Sequence, residues 1–163
     1  MIMDRVYFAL KLFSALGCGL MAGVFFAFSV FVMSGLGRLP ASQGIAAMQS
    51  INITVINPVF MLVFMGTALS CLLLGIIALV RWNQPGSAFL LAGSLLYFVG
   101  TFLVTVVFNV PLNDALAVAK PNSAEGAKLW SSYLLVWTMW NHVRTLGALA
   151  ATASFIMALL RAT

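Results

Sequence analysis

Four apolar runs, each close to the roughly 20 residues that a helix needs to cross a bilayer, decide what this chain can fold into. They lie at about 6–34, 58–80, 87–110 and 137–160. In lipid every backbone N–H and C=O has to be satisfied within its own segment or in a closed barrel, so runs of this length and apolarity are helices. With 63% hydrophobic and 7% charged residues, against about a quarter charged in soluble domains, the chain cannot cover a soluble surface. The expectation is an all-α fold: an integral membrane four-helix bundle forming a single transmembrane domain over residues 1–163. A short interfacial helix joins spans 1 and 2, and the fourth helix extends beyond the membrane.

The punctuation between the runs supports this layout. Lys11 and the length of the first run set it apart from the short apolar region of a cleaved signal peptide, so it reads as a retained span. Asn57 is placed to N-cap the second run, with Pro58 at its first position, where a missing N–H is harmless. Residues Arg81 to Gly86 form a tight turn, and Pro111 is expected to end or kink the third run at Val110. The two long connections, 35–57 and 111–136, emerge on one side. In the first, Ile45, Met48, Ile51, Asn52, Val55 and Ile56 recur at helical spacing. In the second, Asn122 to Glu125 form a start signal for a helix that continues into the fourth span.

Arg5, Lys11, Arg81 and Arg161 on the side of the termini oppose Arg38, Lys120 and Lys128 on the other. This small bias favours a bacterial inner membrane orientation with both termini cytoplasmic. The net charge of +5 is spread along the chain with no basic cluster, which points to lipid headgroups and excludes nucleic acid as a partner. Cys18 and Cys71 lie in apolar runs without CxxC spacing and read as buried packing residues. Gly19 and Gly23 form a small-xxx-small pair suited to close helix approach, within the bundle or in a homo-oligomer. One histidine and three acidic residues are too dispersed for a metal ligand set.

The polar residues concentrate at one end of the greasy bundle. At about 100° per residue, Trp130, Tyr133, Trp137, Asn141, Arg144 and Ala148 share one stripe of the fourth span, flanked by Trp140 and Thr145. Val136, Met139, Val143 and Leu146 occupy other sides. His142 lies well round from the stripe. On the third span Phe98, Phe102, Thr105 and Asn109 share a face, followed by Asn113 and Asp114. If these helices are neighbours, Asp114 or the amides become partners for Arg144. Intramembrane ionisable groups are costly and mark functional sites by default, although tryptophans also serve as interfacial anchors and arginines snorkel to headgroups.

The segments GLMAGVFFAFSVFVM, MQSINITVINPVF, FNVPLNDAL and WTMWNHVRTLGALAA, in that order, resemble the anthrone-oxygenase-like family of small four-helix membrane proteins. The resemblance implies oxidation of a hydrophobic polycyclic phenol by O2 without cofactors, through an enolate formed by a base. Under it, His142, with Asp114 second, is the expected base. Arg144, Asn109 and Asn141 would stabilise the enolate oxygen, and Trp137, Trp140 and Phe102 would stack on the rings, with Asn52 and Asn113 as further contacts. The expected partners are a hydrophobic aromatic small molecule and membrane lipid. The alternatives are a non-catalytic binding protein for a quinone, lipid or haem, and a structural membrane protein.

Overall fold

The computed structural model describes residues 2–161, which form five helices and no strand. Helix α1 covers 2–37, α2 Ala41–Thr54, α3 Pro58–Val80, α4 Ser87–Ala117 and α5 Ala124–Leu160. All but α2 are long and apolar enough to cross a membrane. Each of these four neighbours two others in a ring, α1–α3–α4–α5, while the diagonal pairs make no comparable contact. The fold class read from the sequence is therefore the one observed.

Helix boundaries follow local chemistry. The Asn57 side chain accepts the Phe60 N–H at 3.0 Å and caps α3, and Ser123 caps α5 by accepting the Gly126 N–H at 2.9 Å. The turn from α3 to α4 closes at Gly86, whose φ of 85° is open to glycine at no steric cost. As anticipated, α5 runs uninterrupted into the fourth span, for 37 residues. Where the sequence placed the end of the third span at Val110, the helix passes Pro111 and continues to Ala117. Two wide π-helical stretches, Phe98–Leu103 and Thr105–Asn109, precede the proline. Pro111 then sits in the first turn of a fresh α-helical segment, where it is tolerated. A third π stretch, Phe28–Val32, lies in α1.

The bundle is apolar outside as well as inside. Leu16, Leu20, Leu62, Leu69, Leu79 and Leu146 are all exposed, as lipid contact requires, so packing relies on small residues and side-chain hydrogen bonds rather than on segregation from water. Cys18 and Cys71 are fully buried free thiols in the core around Leu74, Tyr97 and Phe155. Ser14 donates to Ser70 at 2.9 Å across α1 and α3. A close backbone approach between helices joins α4 and α5 at Gly100 and Gly147 rather than at the Gly19/Gly23 pair: Gly19 only touches Thr152, and Gly23 faces open space.

Helix α2 forms a roof over one end. Ile45 and Met48 pack with Met33, Leu116, Trp130, Tyr133 and Trp137 in a second core, and Gln49 Nε2 donates to the Leu116 and Ala119 carbonyls at 2.8 and 3.0 Å, tying α2 to the end of α4.

A Cβ on Gly147 would lie 3.0 Å from the Gly100 carbonyl carbon and 3.1 Å from its oxygen, backbone atoms that cannot step aside. Gly147→Val should therefore destabilise by about 1–3 kcal/mol, read as a lower unfolding midpoint in detergent. Gly23→Val should stay within about 0.5 kcal/mol of the parent.

Candidate functional site

Beneath the α2 roof lies a cavity of about 320 Å³ reached by every helix, at the lower end of the usual range for small-molecule sites. Its surface is aromatic and aliphatic: Phe25 and Phe28 from α1, Met48 and Ile51 from α2, Phe60 and Phe64 from α3, Phe102 from α4, and Trp137 from α5. The rings form two clusters, with Phe64 and Phe102 centroids 5.6 Å apart in one and Phe28 and Trp137 5.8 Å apart in the other. Only four lining side chains are polar: Asn52, Thr105, Asn113 and Arg144.

Arg144 is 4% exposed. Its guanidinium carbon lies 4.4 Å from the Phe25 ring centroid and 4.8 Å from that of Trp137, within cation–π range of both. Nη2 donates to Asn141 Oδ1 at 2.6 Å and Nη1 more weakly to Thr105 Oγ1 at 3.4 Å, while the buried Nε–H has no partner. Among the described residues no carboxylate pairs with it. Asn141 acts as a bracket, because its Nδ2 also donates to the Phe25 carbonyl at 2.6 Å and to Ser29 Oγ at 2.7 Å, joining α5 to the π stretch of α1. The site is thus a cation held by neutral groups beside an apolar space, with donor capacity to spare.

Residues 60–154, more than half of the chain, match the anthrone oxygenase family. The chain belongs to that family. No curated protein and no solved structure matches it. The family match covers Phe60, Phe102, Asn113, Trp137 and Arg144, whereas the cavity walls supplied by α1 and α2 lie outside it.

Within this family framework, the residues singled out from sequence divide into three groups. Arg144, Asn52, Asn113, Trp137 and Phe102 line the cavity together. Asn113 Oδ1 accepts both the Tyr133 hydroxyl and the Trp137 indole N–H at 2.8 Å, which fixes the plane of the Trp137 ring, and the buried Asn52 Nδ2 has no partner. Asn109 and Asn141 stand behind the wall, fully buried. Asn109 donates to the Trp137 carbonyl at 3.2 Å, leaving its own oxygen unpartnered.

His142, Asp114 and Trp140 lie elsewhere. His142 follows Asn141 by about 100° around α5 and is exposed beside Val143, on the outer side. Asp114 is likewise exposed, one residue round from Asn113. The anticipated Asp114–Arg144 pair is therefore not formed, and Asn141 takes the guanidinium instead. Trp140 is half-buried and stacks on the exposed Phe108, centroids 3.7 Å apart, away from the cavity. No group of three His, Cys, Asp or Glu side chains among the described residues is arranged to hold a metal ion.

Sequence reasoning missed the contribution of α1. Phe25, Phe28 and Ser29 sit in a uniformly apolar stretch, and only the single serine one turn from Phe25 marks the face that meets Asn141.

Replacing Asn141 by Leu removes the acceptor of a buried cation and should destabilise by about 2–4 kcal/mol. The double variant Asn141→Leu/Arg144→Leu should lose less than the sum of the single variants, with a coupling of about 1–2 kcal/mol in a denaturation cycle.

Proposed function

We propose that the cavity binds a flat phenolic ketone of the anthrone class as its enolate and promotes its oxygenation by O2. Arg144 carries this proposal: a buried cation without a carboxylate, bordering an apolar space, is a receptor for an anionic oxygen. The spare donors support it, since Arg144 Nε and Asn52 Nδ2 are both buried, both unpartnered and both belong to cavity-lining residues. The family match supports the oxygenase class.

The chemistry asked of the protein is modest. An anthrone carries a CH2 between two aromatic rings and opposite a ketone, so loss of one proton yields an enolate whose negative charge rests on the oxygen. Arg144 next to that oxygen stabilises the ion relative to the neutral ketone and raises its population. The electron-rich carbon then passes an electron to O2, the resulting pair combines to a peroxide, and the peroxide expels water to leave a second ketone. One oxygen atom enters the product, the other leaves as water with the two hydrogens of the former CH2. Phe25, Phe102 and Trp137 hold the rings and keep the site dry, which strengthens the ion pair. No cavity-lining side chain is a carboxylate or imidazole, so in this scheme the neutral ketone binds and its proton then leaves to solvent. His142 and Asp114 take no part.

Oxygen uptake by the purified protein with a hydroxylated anthrone tests this. Arg144→Gln, which keeps a donor but removes the charge, should lower the turnover rate by about 10²–10³, while His142→Ala and Asp114→Asn leave it unchanged. Undiminished uptake by Arg144→Gln, or loss of uptake on replacing His142, would reject the scheme.

A further inference from the structure

The walls of the cavity differ from side to side. Toward α1 and α5 none of the lining side chains is exposed: Phe25, Trp137 and Arg144 are buried and Val24 and Phe28 half-buried. Toward α3 and α4 part of the lining is open: Met65 is 48% exposed, Val106 48% and Val110 39%, with Ile56 at the α2–α3 junction 72% exposed, while Phe64 stays buried. Helices α3 and α4 pack together along Ser87–Leu103 and part beside the π stretch Thr105–Asn109. The α2 roof, with Ile45, Met48 and Gln49 seated on α4 and α5, covers the end that faces the loops.

Depth identifies what the gap faces. Met65 is seven residues into α3, about 10 Å below its start at 1.5 Å per residue, inside a hydrocarbon core about 30 Å thick. Every residue at the rim is aliphatic or a thioether. Water gains nothing from such an opening, whereas an apolar solute already dissolved among acyl chains meets no desolvation barrier there.

Resting on the reading of the cavity as a phenol site, we propose that its ligand arrives sideways from the bilayer through the gap between α3 and α4, rimmed by Met65 and Val106. The substrate class that follows is narrow: compounds that partition into the hydrocarbon layer, presenting one ionisable oxygen to Arg144 while their apolar substituents trail into the gap. Charged or glycosylated derivatives are excluded because their polar groups would cross the aliphatic rim.

Thiol labelling of the full chain in lipid nanodiscs tests the route without any substrate. Cys18 and Cys71 are fully buried, so a Thr105→Cys reporter on the cavity wall is read against the unlabelled parent. Val55→Cys, on the α2 side, serves as a second reporter. An alkyl methanethiosulfonate should label the reporter and its sulfonate-bearing counterpart should not. Adding Val106→Trp, or Met65→Trp from the opposite rim, should slow the alkyl reagent about tenfold, equivalent to an added barrier of about 1.4 kcal/mol. Equal labelling by both reagents, no labelling by either, or rates indifferent to both tryptophans would overturn the route. Oxygen uptake by Arg144→Gln fails or succeeds separately, so the loss of one proposal is distinguishable from the loss of the other.

Discussion

A guanidinium buried in an apolar bundle costs several kcal/mol in lost hydration unless its surroundings repay it. Here the repayment comes from neutral groups: the Asn141 oxygen, the Thr105 hydroxyl and the faces of Phe25 and Trp137. Each of these must itself be held still. Asn141 is anchored on α1 through Phe25 and Ser29, and Trp137 is pinned by Asn113 and by its stack with Tyr133. The relative placement of α1, α4 and α5 is thereby coupled to one positive charge. A carboxylate partner would satisfy the same cation more fully, and would also quench its attraction for an anionic ligand.

The cavity lies where two helices depart from ideal α geometry, with Phe28, Phe102, Thr105 and Val106 of the π stretches among its lining. Helices α3 and α4 stay paired beside the π stretch Phe98–Leu103 and part beside the second, Thr105–Asn109. Such widened turns recur at functional sites in helical proteins. The matching stretch in α1, Phe28–Val32, presents Ser29 to both Asn141 and Thr145. Close packing elsewhere, with Gly100 against Gly147 and the tight core around Leu74, holds the frame that this end of the bundle lacks.

Much of the site was legible in the fourth span. The stripe Trp130, Tyr133, Trp137, Asn141, Arg144 and Ala148 is buried in full, because a regular helix converts spacing into direction and lipid tolerates no polar residue on the outer face without cost. The same arithmetic placed His142 off the stripe, and the structure finds it exposed. Its chemistry drew attention to it, while its angle already argued that it faces away. The third span was less readable. A wheel of constant pitch follows Phe102 to Asn109 only approximately, since π turns advance differently, and Pro111 signalled an end where the widened backbone allowed a continuation.

Hydropathy, caps and periodicity alone determined the four long helices, the α2 segment, the start of α3 at Asn57 and of α5 within Asn122–Glu125, and the polar face of α5. These depend on neighbours within a turn or two, or on the lipid common to every position, and both are written in residue order. Only the tertiary structure decided that Arg144 rests on Asn141 rather than Asp114, that α1 supplies a wall and a serine to the site, and that α3 and α4 part to leave an opening. Those outcomes depend on the rotation of one helix against another across more than a hundred residues of separation between Phe25 and Asn141, and no local pattern encodes that rotation.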